Sequence, residues 1–340
     1  MKTLTRKLGK SGIEVSAIGL GCWAIGGPLW YRSEGERLPL SWGKVDDKES
    51  IRTIHRALDL GITLFDTADS YGCGHSERIL GQALEGRRED VIIATKFGDL
   101  FDEKTRTWLG HNHPKGIITQ EFVRKACEAS LKRLNTDYID LYQLHWKEYD
   151  ANLATDLLSV LEDLVDEGKI RYYGWSTPNS KLVHGFIEGS HCTAIQYNYN
   201  ILERNPDMLT LCEKFNLASI ARGPFAMGLL TGKYSKESKI TKDDMRNKWW
   251  NLQDGRQAKQ LEILEAIREI ITYDGRTMVQ GALGWLLALS PNIIPIPGFK
   301  TIKQVEENVE ALQFDPLPKK QMYEIDQILE NYSYDLILLD

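Results

Sequence analysis

The sequence predicts one α/β domain, a closed (β/α)8 or TIM barrel in which eight parallel strands are surrounded by helices. Short apolar runs recur eight times, amphipathic helical patterns separate them, and no linker or break in composition divides the 340 residues. The predicted strands are 17–21, 63–66, 91–96, 138–145, 170–176, 194–198, 217–221 and 292–296. We therefore expect a single domain over residues 1–340.

A β-hairpin is predicted ahead of the first barrel strand, over residues 7–15, with its turn at Ser11 and Gly12. We expect it to close the amino-terminal end of the barrel. Helical patterns follow most strands, and a glycine often comes just after them, as is common at helix ends. The predicted helices are 49–60, 119–134, 155–165 and 206–215, with two more, 257–271 and 277–289, between the seventh and eighth strands.

Three long segments, 28–46, 98–116 and 234–255, each follow a predicted strand. They should therefore lie over the carboxyl-terminal face of the barrel, which is where active sites of this fold class lie. Tryptophans in these segments are candidates to wall an apolar or sugar-binding pocket. They are Trp30, Trp42, Trp108, Trp249 and Trp250.

Composition and charge narrow the class of protein. A net charge of −6 without a basic stripe argues against a nucleic-acid surface. No run approaches the roughly 18 apolar residues that span a bilayer, and residues 1–6 lack the features of a signal peptide. Five cysteines without C-x-x-C spacing suit a reducing cytosol and provide no zinc site. We expect a cytoplasmic protein without metal, and the oligomeric state stays open.

The stretch GLGCWAIGG, residues 19–27, satisfies the dinucleotide-binding pattern G-x-G-x-x-A. Such a fingerprint must open directly into a helix whose amino terminus faces the pyrophosphate. Here Gly26, Gly27 and Pro28 follow instead, and they disfavour a helix. The stretch is therefore predicted to be the first barrel strand and its outgoing loop.

Four side chains of complementary chemistry follow three consecutive predicted strands. Asp66 and Tyr71 follow the second, Lys96 the third and His145 the fourth. A tyrosine with its ordinary pKa of about 10 exchanges protons poorly near neutrality, and a neighbouring ammonium should lower that pKa. A carboxylate would keep the buried lysine charged, and the histidine would orient a carbonyl oxygen. Such a site protonates an oxygen while a hydride reaches the carbon.

Three segments make the chain resemble the aldo-keto reductase family, in its potassium-channel-β-like and bacterial branch. They are FDTADSYG-x-x-SE at 65–77, PFAMGLLTGKY at 224–234 and IPGFKTIKQVEENVEAL at 296–312, and the similarity runs from residue 8 to about 311. The resemblance implies that Asp66, Tyr71, Lys96 and His145 form the catalytic tetrad. It makes Tyr71 the general acid in carbonyl reduction and NADP(H) the cofactor, with an aldehyde, ketone or sugar as substrate.

The resemblance also implies contacts along an extended cofactor. Ser176 and Gln196 would bind the nicotinamide carboxamide, Cys22 and Trp23 would border the nicotinamide ribose and the substrate, and Asp66 would lie beside the ring. The pyrophosphate would rest on Gly223, Pro224, Phe225, Ala226, Met227 and Gly228, with Lys233 nearby. The adenosine end would be held by Gly298, Lys300, Thr301, Gln304, Glu307 and Asn308, with Lys300 on the 2′-phosphate and Glu307 and Asn308 on the adenine.

The chain departs from the family pattern at three positions that the resemblance implies bind the cofactor. Arg222 stands where relatives place an aromatic residue on the nicotinamide, and its guanidinium could stack there or bind a substrate anion. Thr177 replaces a common asparagine, and Gln304 an arginine. Two other functions are kept open: a regulatory subunit that retained the cofactor site, and a metal-dependent hydrolase using His111 and His113.

Overall fold

Eight parallel strands close into the predicted barrel in the computed structural model, which describes residues 4–337. The strands in chain order are β1 (Thr5–Lys7), β2 (Glu14–Ser16), β3 (Leu20–Gly21), β4 (Trp30–Ser33), β5 (Glu36–Pro39), β6 (Leu64–Asp66), β7 (Ile92–Phe97), β8 (Leu100–Asp102), β9 (Thr107–Gly110), β10 (Ile139–Leu144), β11 (Ile170–Ser176), β12 (Cys192–Asn198), β13 (Ala218–Arg222) and β14 (Ile293–Pro295). The barrel order is β3-β6-β7-β10-β11-β12-β13-β14. The predicted domain ends, residues 1 and 340, lie outside the described residues.

The seam between β14 and β3 explains the glycines of the GLG motif. The amides of Gly19 and Gly21 donate to the carbonyls of Pro295 and Pro297, each at 2.9 Å. A Cβ on Gly21 would lie 2.9 Å from the Ile296 carbonyl oxygen, closer than real Cβ contacts come. The glycine therefore permits barrel closure, and the expectation of a first strand with an outgoing loop is confirmed.

The hairpin of β1 and β2 covers the amino-terminal end of the barrel, as predicted. Leu8 and Val15 are buried in one cluster with residues of the barrel interior such as Leu141 and Ile220, and the Thr193 hydroxyl donates to the Leu8 carbonyl at 2.7 Å. The turn contains Ser11 and Gly12, as predicted, but it is longer than those two residues. A 3-10 turn at Gly9–Ser11, followed by left-handed Gly12, joins the paired arms, and Leu8 and Gly9 are buried against the barrel.

Helices surround most of the barrel. They are α1 (Asp47–Asp59), α2 (His75–Ala83), α3 (Gln120–Leu134), α4 (Ala151–Asp156), α5 (Leu158–Asp166), α6 (Pro206–Lys214), α7 (Arg246–Trp249), α8 (Arg256–Ile271), α9 (Met278–Leu289), α10 (Ile302–Glu310) and α11 (Lys319–Ile337). The predicted pair between the seventh and eighth barrel strands is confirmed as α8 and α9. Between β11 and β12 a 3-10 turn replaces the helix, and its Phe186 packs against Tyr173 and Trp175, with ring centroids 5.7 and 5.4 Å away. None of the helices in residues 4–337 combines the length and apolarity needed to cross a membrane.

Two of the three long segments fold into a second, four-stranded sheet in the order β5-β4-β9-β8. β4 and β5 follow the first barrel strand, and β8 and β9 follow β7. The Trp30 amide donates to the Arg106 carbonyl at 3.0 Å, which joins the two hairpins. This small sheet therefore stands over the carboxyl-terminal face, as expected of segments that follow barrel strands.

Gly81 allows α2 and α3 to pack closely against each other. A Cβ there would lie 2.5 Å from the Leu134 carbonyl oxygen, which is backbone and cannot move aside. We expect Gly81→Ala to lower the free energy of unfolding by about 1–3 kcal/mol through overpacking, although alanine favours helices. Urea titration measures this, and Gln82→Ala, on the exposed side of the same helix, is the control. Equal stability of the two variants would contradict the role assigned to Gly81.

Candidate active site

Lys96 lies at the centre of the residues that the sequence analysis predicted to be catalytic. Its Nζ lies 2.6 Å from Asp66 Oδ1, 3.1 Å from the Tyr71 hydroxyl and 2.7 Å from the Thr67 carbonyl oxygen. Asp66 ends β6, Lys96 lies in β7, and His145 follows β10. Because neighbouring parallel strands end at the same edge, side chains distant in sequence meet here.

Asp66 is fully paired. Its Oδ1 accepts the lysine, and its Oδ2 accepts hydrogen bonds from Gln143 Nε2 at 3.1 Å and Gln196 Nε2 at 2.7 Å. The sequence analysis missed Gln143. The only signal for it was a polar residue inside the apolar strand β10, facing the barrel interior. This network holds the carboxylate in one orientation inside a water-poor site.

Burial and neighbouring charges compete in setting the pKa of Lys96 and of Tyr71. The charges prevail at Lys96, and burial prevails at Tyr71. Burial lowers the pKa of Lys96, but Asp66 and Tyr71 outweigh it, so the pKa is raised and the ammonium persists, as predicted. Burial raises the pKa of Tyr71, and Lys96 reverses only part of that effect. The ammonium thus acts on the Tyr71 pKa in the expected direction, but the net shift is upward, because the phenolate loses more hydration than the ammonium replaces. Tyr71 stays protonated around neutrality and is able to donate a proton.

Aromatic rings enclose the Tyr71 hydroxyl. The Trp23 ring stands edge-on to Tyr71 at 4.8 Å, and the His145 ring lies 6.0 Å from it on a near-perpendicular plane. Trp23 thus lies against Tyr71. The neighbouring Cys22 is buried within the core, at 0 % exposure.

His145 has a carboxylate beside it that the sequence analysis did not identify. Its Nδ1 lies 2.8 Å from Asp99 Oδ2, with the oxygen off the axis of the ring N–H, so the contact is close without being an aligned hydrogen bond. Asp99 Oδ1 accepts from Trp108 Nε1 at 2.7 Å and lies 3.1 Å from His111 Nε2. The pKa of Asp99 is lowered, because the two histidines outweigh the effect of burial.

The histidines proposed as metal ligands bind backbone instead. His111 Nε2 lies 3.0 Å from the His145 carbonyl oxygen, and His113 Nε2 lies 2.8 Å from that of Gly98. In residues 4–337 no three His, Cys, Asp or Glu side chains are grouped as metal ligands. Within this part of the chain, His111 and His113 are thus not arranged as the ligands of a metal hydrolase.

The loop after β13 contains a run of left-handed residues. Ala226, Met227 and Gly228 have φ angles of 46°, 55° and 104°, and the amides of Ala226 and Gly228 donate within the loop, to the carbonyls of Gly223 at 2.9 Å and Phe225 at 2.8 Å. The two non-glycine residues adopt this conformation at a cost of about 1–3 kcal/mol each, and strain of this kind is concentrated at ligand sites. The residues predicted to hold the pyrophosphate thus form a strained loop, in which Pro224 is buried.

Arg222 ends β13 close to the catalytic groups. Burial lowers the pKa of its guanidinium, and the neighbouring Tyr71, Glu203 and Asp66 raise it. Arg222 is in turn the largest cause of the lowered pKa of Lys147. Two cations therefore share this side of the mouth.

The start of α10 holds the residues predicted for the adenosine end. Thr301 and Gln304 form a capping box, which leaves their side chains largely committed to the helix terminus. Lys300 Nζ donates to the carbonyls of Trp42 at 2.6 Å and Lys44 at 3.2 Å. Asn308, buried in the same helix, has an Nδ2 without a hydrogen-bond partner. Gly298 lies at the barrel seam, and Glu307 is half-buried on α10.

Residues 42–45, here called the strap, connect the two predicted cofactor segments. One end pairs with Asp244 through a bridge at Trp42, and the Arg246 guanidinium lies 4.4 Å above the Trp42 ring. Arg246 also donates to the Met227 carbonyl at 2.8 Å. Lys300 holds the strap at Trp42 and Lys44, so the strap lies between the loop at 226–228 and the start of α10. Lys233 lies near Arg246 and Lys300, and these two cations add to the effect of burial in lowering its pKa.

The polar atoms left over at the mouth fit a nicotinamide dinucleotide. Gln196 Oε1 is buried without a partner, although its Nε2 is bound to Asp66, and a carboxamide NH2 would complete it. Ser176 is buried at the end of β11 nearby. The Thr177 hydroxyl, by contrast, is bound to the Lys147 carbonyl at 2.6 Å and to the Asn179 amide at 3.2 Å. The unpaired acceptor of Gln196 and the buried Ser176 are thus the polar groups that a carboxamide would complete.

Comparison with known proteins identifies the same fold and family. The model of the Aldo/keto reductase family matches residues 17–330. A glycerol dehydrogenase of Gluconobacter oxydans superposes with a TM-score of 0.82 at 32 % identity, covering 97 % of this chain and 96 % of that one. An aldo-keto reductase of Klebsiella pneumoniae in complex with NADPH gives 0.69 at 25 % identity, covering 96 % and 95 %. An NADH-specific methylglyoxal reductase of Escherichia coli is 33 % identical over 91 % of this chain and 93 % of its own length.

Proposed function

Because the chain belongs to the aldo/keto reductase family, we propose that it reduces the carbonyl group of a small or sugar-like aldehyde or ketone with NADPH. The observation that carries the proposal is the position of Lys96 Nζ, 2.6 Å from Asp66 and 3.1 Å from the Tyr71 hydroxyl. This arrangement supplies a proton donor and stabilises the anion left behind. A charged lysine would not otherwise be fully buried.

Each residue of the site has its own role in the proposed reaction. When bound, the reduced nicotinamide supplies a hydride to the carbonyl carbon. Tyr71 donates the proton that the carbonyl oxygen takes up, and Lys96 stabilises the resulting phenolate. Asp66 keeps the lysine charged and fixed, and His145 orients the carbonyl oxygen. Proton donation to oxygen and hydride addition to carbon together give the alcohol.

Residues along the mouth of the barrel would hold the cofactor. Gln196 and Ser176 would bind the carboxamide, the loop at 226–228 the pyrophosphate, and Asn308 the adenine. Trp30, Trp108 and Trp249 lie in the segments over the mouth and would wall a substrate pocket, and Trp249 is 45 % exposed. The five cysteines are free thiols and support the cytoplasmic location expected from the sequence. That residues 1–340 act as one domain stays a prediction.

Lys300 is proposed to favour NADPH over NADH. It lies at the amino terminus of α10, where a helix dipole and a charged donor would bind a 2′-phosphate. We expect Lys300→Met to raise KM for NADPH about tenfold relative to KM for NADH, which corresponds to about 1.4 kcal/mol. Steady-state kinetics with both nucleotides measure the ratio, and Lys303→Met, exposed on the same helix, is the control. An equal change in both KM values would instead assign Lys300 only to the strap.

The function is tested with a panel of aldehydes, ketones and sugars run side by side with NADPH and NADH. Consumption of NADPH that depends on the carbonyl compound supports the proposal. Tight binding of NADPH without turnover on any member would favour the regulatory alternative. The complete tetrad favours the enzyme, since a purely regulatory protein does not need a proton donor paired with a buried lysine.

A further inference from the structure

Asp99 lies against the Nδ1 side of the His145 ring. The carboxylate is 5 % exposed. One oxygen faces two nitrogens of the β8–β9 hairpin, Trp108 Nε1 at 2.7 Å and His111 Nε2 at 3.1 Å. The other oxygen lies 2.8 Å from His145 Nδ1, which has no hydrogen-bond partner of its own.

The acceptors in this cluster determine which nitrogens of the two histidine rings carry hydrogen. His111 Nε2 lies between the Asp99 carboxylate and the His145 carbonyl oxygen, at 3.1 and 3.0 Å. Both neighbours are acceptors, so this nitrogen carries hydrogen. The same reasoning applies to His145 Nδ1, because a bare lone pair 2.8 Å from a carboxylate oxygen would be repelled. The neutral His145 ring therefore carries its hydrogen on Nδ1 and presents Nε2 as an acceptor.

We propose that Asp99 is a positioning residue that sets the tautomer of His145 and thereby makes its contact with substrate depend on protonation. The inference rests on the proposed function. Neutral His145 accepts a hydrogen bond at Nε2 from the hydroxyl of an alcohol. Only the imidazolium, with hydrogen on both nitrogens, donates from Nε2 to the oxygen of a carbonyl compound. The chain would thus use neutral His145 for alcohol oxidation and charged His145 for carbonyl reduction.

The charges around His145 give the sign of the pH dependence. Burial lowers its pKa, Asp99 raises it, and Lys96 and Arg222 lower it, with a net shift below the ordinary value. Tyr71 faces the ring as a neutral group, and His111 contacts its backbone. Carbonyl reduction should therefore decline about tenfold per pH unit above this pKa, and alcohol oxidation should rise through it.

Asp99→Asn offers a sharp test, because the cluster dictates how the amide must lie. Two donors, Trp108 Nε1 and His111 Nε2, surround the site of Oδ1, so the new carbonyl must lie there. Its NH2 then points to His145 Nδ1 and moves the ring hydrogen to Nε2. Long-range proton–nitrogen NMR of 15N-histidine protein reports the tautomer directly, and the signals that vanish in His145→Asn identify the residue.

Above the His145 pKa we expect the Nδ1–H tautomer in the natural protein and the Nε2–H tautomer in Asp99→Asn. In kinetics, the variant should lose the decline of reduction with pH, and its alcohol oxidation at pH 8 should fall at least tenfold. Asp102→Asn, in the same hairpin, should change neither. An Nε2–H tautomer in the natural protein, or an unchanged tautomer and pH profile in Asp99→Asn, would overturn the proposal. The NMR result needs no turnover, so an inactive substrate panel would contradict the proposed function alone.

Discussion

Tyr71→Phe is expected to lower kcat/KM for carbonyl reduction by about a thousandfold, the middle of the range for loss of a general acid. The substitution removes one oxygen from a side chain that is 8 % exposed and leaves its ring contact with Trp23 intact. Lys96 cannot take over as donor, because Asp66 and Tyr71 hold its pKa above the ordinary value and it keeps its proton. With Lys96 excluded, the Tyr71 hydroxyl remains the proposed proton donor, and the variant tests that role.

Nucleotide binding separates this chemical effect from a structural one. Tyr71→Phe should bind NADPH with nearly the natural Kd, measured by quenching of tryptophan fluorescence, while single-turnover hydride transfer slows. Tyr138→Phe provides a matched control, because Tyr138 lies between Arg88 and Arg171 and away from the tetrad, with cation–ring distances of 3.9 and 4.4 Å. If Tyr71→Phe retained turnover within a few fold of the natural protein, Tyr71 would not be the acid.

Lys96→Met is expected to abolish reduction and to lower the free energy of unfolding by about 3–5 kcal/mol. Lys96 and Asp66 are 0 % and 2 % exposed, so removal of the cation leaves a buried carboxylate without its counter-charge. Gln143 and Gln196 still donate to that carboxylate, but neutral amides do not replace the ammonium. Urea unfolding measures the stability and NADPH consumption the activity.

The double variant Asp66→Asn/Lys96→Met distinguishes the two consequences. Because it removes both charges, it should regain most of the lost stability while remaining inactive. Lys125→Met is the surface control: its ion pair with Glu121 has side chains 74 % and 75 % exposed, and its loss should cost no more than about 0.5 kcal/mol. A double variant as unstable as Lys96→Met would show that packing, not the unpaired charge, dominates.

The barrel and the tetrad could be predicted because both follow from local sequence. Strand runs ending in Asp66, Lys96 and His145 place these residues on one rim once the sheet is parallel, with no knowledge of the loops. The GLG motif shows the opposite case, since Gly21 satisfies a cofactor pattern but is required by the approach of Ile296 at the barrel seam. A pattern of glycines alone does not distinguish a phosphate from a neighbouring strand.

The Asp99 cluster and the sign of the Tyr71 pKa shift could not be predicted. Asp99 reaches Trp108 and His111 only because β8 and β9 pair across a turn within a segment that showed no strand pattern. The pKa of Tyr71 depends on the completeness of burial, a property of the whole mouth. Gln143 was hidden for a related reason, because one polar residue in an apolar strand does not reveal its partner on another strand.

Because β4, β5, β8 and β9 form one small sheet, an engineer who exchanges loops between related proteins must move the two hairpins together. The Trp30 amide binds the Arg106 carbonyl at 3.0 Å, and Arg37 donates to the Thr105 carbonyl at 2.7 Å. Exchanging one hairpin alone would break these bonds, whereas moving both carries them along. Because the β8–β9 hairpin also supplies Trp108 and His111, which hold Asp99, a graft that changes the substrate range would also change the pH at which the enzyme works in each direction.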